Sequence, residues 1–109
     1  MKTKKEFYAA QAQVLKALAH PTRLLLLNRL SAKPVCVCEL TEAAGCDIST
    51  VSLHLNLLRR AGIVQSEKKG NWVFYSLKCR CVLQFLDCIT SVVKDSAAAQ
   101  AKSAAGGAR

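Results

Sequence analysis

Six cysteines carry the most reactive chemistry in this sequence, and five of them fall in two short stretches. Cys36 and Cys38 stand one residue apart in "PVCVCEL"; Cys79, Cys81 and Cys88 lie in "KCRCVLQFLDC"; Cys46 is by itself. Thiolates are soft ligands that select soft ions. The only histidines are His20 and His54, and His20, just before Pro21, reads as a structural residue between helices, so zinc or nickel sites built from imidazole and carboxylate are disfavoured. Spacing constrains each thiol group. Residues i and i+2 of a helix point roughly 200° apart, so Cys36 and Cys38 grip one atom together only if the first turn of their helix is irregular. Binding would then distort that helix. Cys81 and Cys88 would lie about 10 Å apart along one helix, too far for one atom and beyond the Cα separation of about 4.4 to 6.8 Å that a disulfide spans. A site using both needs a non-helical start or a thiol from a second subunit. Cys88 equally fits a buried interface position as a small apolar residue. No nucleophile, base and orienting group form a recognisable set, so an enzyme is not expected.

The elements that must position these thiols fit one domain of residues 1–95, short enough that pairing with a second copy would help bury apolar surface. No stretch approaches a membrane span of 18 or more apolar residues, and "MKTKKEFYAA" lacks the apolar centre of a signal peptide. The reading is a cytoplasmic protein with no membrane partner. In that reducing compartment, cysteines serve as metal ligands, redox sensors or core residues rather than as a disulfide framework. The formal charge is +9, and between Ile48 and Arg80 stand Arg59, Arg60, Lys68, Lys69, Lys78 and Arg80 against Glu67 alone. Such a patch suits nucleic acid, with a surface that merely keeps the protein soluble as the plainer alternative.

The pattern is mainly helical. "FYAAQAQVLKALA" places Phe7, Ala10, Val14, Leu15 and Leu18 on one stripe, and "HPTRLLLLNRL" restarts with Pro21 in a first turn, where its missing N–H costs nothing, and stops at Ser31 to Pro34. Val35 to Ala44 reads as a short third helix ended by Gly45. Asp47 or Ser49 can cap a fourth, "ISTVSLHLNLLRRAG", which turns Val51, Leu55 and Leu58 inward and leaves Thr50, Ser52, His54 and Asn56 partly free, with Gly62 closing it. A short helix, a glycine turn and a helix that starts with small polar residues make a helix-turn-helix signal. "IVQSEKKGNWVFYSL" then alternates as a two-stranded hairpin broken at Lys68 to Asn71, a basic-tipped wing directly after the presumed recognition helix. A last helix from about Val82 presents Leu86, Ile89 and Val93. Residues 96–109, "SAAAQAKSAAGGAR", have little to bury and are expected to form a disordered low-complexity tail. The fold class is α+β, mainly helical: a winged helix-turn-helix.

In "ALAHPTRLLLL", "CVCEL", "STVSLHLNLLRRAGIV" and "EKKGNWVFYSL", in that order over roughly Ala17 to Leu77, the chain resembles the ArsR/SmtB metalloregulatory repressors. The resemblance implies a homodimer joined through its first and last helices, which binds double-stranded operator DNA and lets go on binding a metal or metalloid. Carried onto this sequence, DNA contacts fall to Ser49, Thr50, Ser52 and His54 on the recognition helix and to Lys68, Lys69 and Asn71 on the wing. Hydroxyls and imidazoles serve phosphates or base edges, although packing on the wing is the equal alternative for His54. Leu53 departs from the polar or cationic residue often found at its position and could touch a thymine methyl.

"CVC" followed by an acidic residue and Leu resembles the arsenite, antimonite, cadmium and lead sensors, and the leading expectation is arsenite held by three thiolates. The arsenic pattern often has a third cysteine where this chain has Thr41. Ligand candidates are therefore Cys36, Cys38, Cys79, Cys81 and Cys88. Cys79 and Cys81 sit where related zinc sensors begin a last-helix site, although Val92, one of the completing positions, cannot ligate. A cadmium or lead sensor aided by Glu39, a thiol redox or persulfide switch, and a dimerisation module without DNA binding are the rival readings.

Overall fold

The structure is a computed structural model that describes residues 3–106, with side-chain surroundings through residue 101. Helix α1 (Lys4–Leu18) opens on a capping box: the Glu6 N–H donates to Thr3 Oγ1 at 3.1 Å and the Thr3 N–H to Glu6 Oε2 at 3.2 Å. Helix α2 (Pro21–Arg29) is capped by His20, whose Nδ1 accepts the Thr22 N–H at 3.1 Å, and Pro21 takes the position where no amide is required. After Ser31 to Pro34 come strand β1 (Val35–Cys36), helix α3 (Val37–Ala44) and helix α4 (Ile48–Arg60). Gly45, at φ +70, ends α3 in the left-handed conformation that a residue without Cβ adopts at least cost. Strands β2 (Val64–Lys69) and β3 (Trp72–Leu77) form the wing, and helix α5 (Val82–Gly106) follows.

The core gathers one face from each central element. Leu26, Leu27 and Leu30 of the α2 region, Leu40 of α3, Val51, Leu55 and Leu58 of α4, and Val64 of β2 are fully buried. Each such leucine is worth about 1.5 to 3 kcal/mol relative to exposure, so the α2–α3–α4 packing fixes the recognition hairpin. The inward positions read from α4 are borne out. Of the α1 stripe only Leu18 is buried; Phe7, Val14 and Leu15 are exposed, as are Phe85, Ile89, Val92 and Val93 on α5.

Three expectations need correction. The third helix begins at Val37, not Val35, because Val35 and Cys36 pair with Tyr75 and Phe74 as an added strand, giving an antiparallel sheet in the order β1-β3-β2. The wing is also longer than the break at Lys68 to Asn71 suggested: Lys68 pairs with Val73 and Lys69 with Trp72, leaving Gly70 and Asn71 as a two-residue turn. Gly70 has φ +62, and a positive φ at the first central position is what the tight turn matching strand twist requires. Lastly, helix α5 extends past Asp95 into the stretch read as a low-complexity tail. Helix α5 runs to Gly106, sustained by the high helix propensity of its alanine-rich run, and only the end of the expected tail lies outside the described residues. Among the described residues no helix is long and apolar enough to cross a membrane.

Candidate nucleic-acid interface and dithiol site

The exposed side of α4 is set by what its other side buries. With Val51, Leu55 and Leu58 in the core, Ser49 and Ser52 face outward together with Ile48 and Leu53, which are 57% and 59% exposed. Thr50 is half-buried, and its hydroxyl donates to Asp47 Oδ1, so Asp47 steadies the entry to α4 through a side-chain pair rather than by capping an amide. Lys68, Lys69 and Asn71 are exposed around the wing tip. Lys69 Nζ lies 3.8 Å from Glu67 Oε1 and 5.6 Å from the Phe74 ring centroid, both exposed arrangements that leave its charge at the surface.

His54 does not belong with these groups. It is buried, its Nδ1 accepts the Arg23 Nε–H at 3.1 Å, and its ring lies 4.4 Å from that of His20. Its proton affinity is lowered by burial first, then by His20 and by the Arg23 cation. Where the sequence reading left it partly free, the structure places the imidazole inside, joining α2 to α4.

The two thiols of "PVCVCEL" converge. Cys36 is not a helical residue; its extended backbone (φ −75, ψ 154) makes it the N-cap of α3, while Cys38 lies in the first turn. This removes the 200° separation that a regular helix would impose. The two sulfurs are bonded to each other, with the Cα atoms 5.4 Å apart. The Glu39 N–H points at Cys36 Sγ from 3.5 Å, at the helix end whose dipole favours negative charge.

Cys36 belongs to two elements at once. As the end of β1 it pairs with Phe74 of the wing, and as the cap of α3 it begins the helix on which α4 packs. Cys38 is exposed and lines a cleft of about 440 Å³ together with Ile48 and Ser52 of α4 and Asn71 and Trp72 of the wing. This cysteine pair thus touches both the wing and α4.

Cys79 and Cys81 precede α5, with their sulfurs 3.2 Å apart. Their shared hydrogen bond, then the charge on Cys79, holds the Cys81 thiol above its ordinary value. Cys88 is exposed on α5, and Cys46 is half-buried against the core. Among the described residues no three His, Cys, Asp or Glu side chains come together as a metal site. The five candidate ligands therefore form two pairs and a single thiol.

Residues 20–66, from the cap of α2 into β2, match the family described as bacterial regulatory protein, arsR family. Over 71 residues the chain is 41% identical to an uncharacterized HTH-type transcriptional regulator of Methanocaldococcus jannaschii, covering 64% of this chain and 80% of that one. The chain belongs to the ArsR family. Its members among the matches are transcriptional regulators rather than enzymes. The arsenical resistance operon repressor of Bacillus subtilis is 38% identical over 76 residues, covering 69% of this chain and 72% of the other. Among solved structures, Mycobacterium tuberculosis Rv0081 superposes with a TM-score of 0.79 at 30% identity, covering 87% of this chain and 96% of that chain. The homodimeric winged helix-turn-helix DNA-binding domain of Mycobacterium bovis Mb0332 superposes with a TM-score of 0.77 at 25% identity, covering 88% and 89%.

Within this ArsR-family fold, two features escaped the sequence reading. Arg23, inside the "HPTR" motif, donates to the carbonyls of Lys16 and Ala17 at 3.3 and 3.2 Å as well as to His54, so it ties the end of α1 and the middle of α4 to α2. The motif was legible, but its bonding was not. Strand β1 has two residues, too few for any periodicity, although Pro34 just before it marked an interruption.

Proposed function

We propose that this ArsR-family regulator represses transcription as a homodimer bound to operator DNA, and that trivalent arsenic captured by Cys36 and Cys38 releases it. The observation that carries this reading is the position of the pair. Cys36 links the wing strand to α3, and Cys38 shares a cleft with Ser52 and Asn71. The exposed apolar residues of α1 and α5 suit an interface with a second copy, and the kinship with an arsenical resistance repressor supports the ligand.

Capture needs reduced thiols. Each arsenic–sulfur bond forms as one hydroxyl of arsenous acid leaves as water with the thiol proton, and arsenic remains trivalent. No third protein ligand is gathered among the described residues, so these two thiols would be the protein's whole contribution to the arsenic. Antimony of the same valence follows the same course; cadmium and lead, which favour more ligands, are served less well. Cys36 and Cys38 would hold the arsenic, and its uptake there would press the cap of α3 against the wing and crowd the cleft beside Cys38. A coupling of about 1 to 3 kcal/mol is typical of such linkage and gives roughly 5- to 150-fold weaker DNA binding.

The bonded sulfurs favour one second reading, thiol oxidation, in which a peroxide takes two electrons and two protons from the pair and is reduced to water. A fluorescence anisotropy titration decides between them. A labelled duplex from the promoter of the protein's own gene is held by the reduced protein and released by stoichiometric arsenite under strictly anaerobic conditions. Release by peroxide alone, with arsenite inert, transfers the signal to oxidation.

A further inference from the structure

We propose that the groove between α1 and the end of α4 is a binding site for a small organic carboxylate with an apolar body. The groove has a volume of about 620 Å³, within the range of about 300 to 1,000 Å³ found for small-molecule sites. Its floor is apolar: Ala17 of α1, Leu57 of α4 and Ala61 just after α4 are half-buried there. Its charged groups are all of one sign. Lys16, Arg23 and Arg60 line the groove, and no Asp or Glu does. Among the described residues the one ion pair joins Lys69 to Glu67, so no carboxylate neutralises any of the three cations.

Arg23 sets the head of the site. It is half-buried, its Nε–H goes to His54, and its Nη1–H groups go to the carbonyls of Lys16 and Ala17. Nη2 donates to no protein group among the described residues, and none of their unpaired side-chain nitrogens is shut away from solvent. The guanidinium is thus fixed by three hydrogen bonds with one nitrogen left to offer. A cation drawn out of bulk water without a counter-ion is costly, and a carboxylate accepting from Nη2 makes a charge-assisted hydrogen bond. Lys16 and Arg60, exposed on long stems, close on the same head while their methylenes extend the apolar wall. The ligand therefore needs both parts. A bare anion leaves the floor wet, and a neutral hydrocarbon leaves the cations unpaired.

The groove is separate from the thiols and from the start of the recognition helix. No cysteine lines it, and Arg60 lies about 16 Å along α4 from Ser49. The site does not depend on the arsenic reading. A ligand there rests on Arg23 and, through it, on the buried His54 of α4.

The test titrates the full reduced chain, labelled with nitrogen-15, with octanoate, with 1-octanol as the same body without charge, and with acetate as the same charge without the body. Amide shifts of Ala17 and Ala61 report on the groove. Octanoate is expected to move both along one saturable curve, with 1-octanol and acetate each binding roughly tenfold more weakly or less, the loss that goes with one charge-assisted hydrogen bond or a few buried methylenes. Lys16→Ala with Arg60→Ala changes two exposed side chains, so the fold is kept. It should weaken octanoate binding roughly tenfold and flatten its dependence on salt. Binding of 1-octanol as tight as that of octanoate, an unchanged affinity in the double variant, or shifts at Ile89 and Val93 of α5 with none at Ala17 and Ala61 overturns the site. A groove closed by a second copy of the chain gives no shift at Ala17 and Ala61 with any of the three, and overturns it equally.

Discussion

The Nε–H of Arg23 donates to Nδ1 of His54 across 3.1 Å, joining the second helix to the recognition helix through a buried imidazole. Accepting there requires that Nδ1 carry no proton, and burial, His20 and Arg23 all favour the neutral ring. The unfolded chain therefore binds a proton near the ordinary imidazole value of 6.5 that folded His54 refuses until lower pH. Stability is full above that value and falls as pH drops below it. Urea midpoints at pH 7.5, 6.5 and 5.5 should decline in that order, and His54→Gln, which keeps an acceptor but cannot titrate, should flatten the trend. An equally steep decline in His54→Gln would take the effect away from His54.

Arg23 also satisfies the carbonyls of Lys16 and Ala17 at the end of α1. Arg23→Ala leaves a buried nitrogen and two carbonyls without this donor, and a loss of about 1 to 3 kcal/mol in unfolding free energy is expected. Denaturant unfolding measures it, and a change below about 0.5 kcal/mol, the usual range for surface substitutions, would show that the bridge is dispensable.

How much of this was legible follows from range. The α4 core face showed in the sequence because a helix of 13 residues repeats its pattern over several turns, and Gly45 and Gly62 marked their helix ends by residue type. The dithiol showed as a motif, but its geometry was misread. Whether Val35 and Cys36 are helix or strand is settled by Tyr75 and Phe74, some forty residues away, a long-range pairing that no local pattern encodes. His54 was read as partly free for a related reason: its position in α4 leaves it near the edge of the buried face, and its partner Arg23 lies on another helix. The alanine-rich residues after Asp95 offered no core face to read, and the helix that runs through them to Gly106 accords with alanine's high helix propensity.

The wing lysines are exposed and lie beyond the reach of the core, so their removal should touch binding and not folding. Lys68→Ala with Lys69→Ala should weaken DNA binding across sequences and reduce the slope of log affinity against log salt by about 1 to 2, one unit or slightly less per lost phosphate contact. Anisotropy titrations at several salt concentrations give the slope. An unchanged slope would remove the wing tip from the contact set.

Gly70 holds the wing turn at φ +62 with no atom within 4 Å of where a Cβ would stand, so an added methyl meets no neighbour and any cost is conformational. Gly70→Ala should destabilise the fold by about 1 kcal/mol, whereas Asn71→Ala, at a position without positive φ, should cost less. Thermal unfolding of the two variants compares them directly; equal costs would contradict the turn geometry.

In the proposed mechanism one dithiol, tied to the wing through Cys36 and to the cleft beside α4 through Cys38, passes arsenic binding to DNA release. The most direct measurement compares arsenite-driven release of the same labelled promoter duplex from the reduced wild-type protein and from Cys36→Ser with Cys38→Ser, by anisotropy and by the emission of Trp72, the only tryptophan, which lines the cleft beside Cys38. The double variant should bind DNA as the wild type does, keep it through the arsenite titration and show no Trp72 response. Full release from the double variant at the wild-type arsenite concentration would show that Cys36 and Cys38 do not carry the signal.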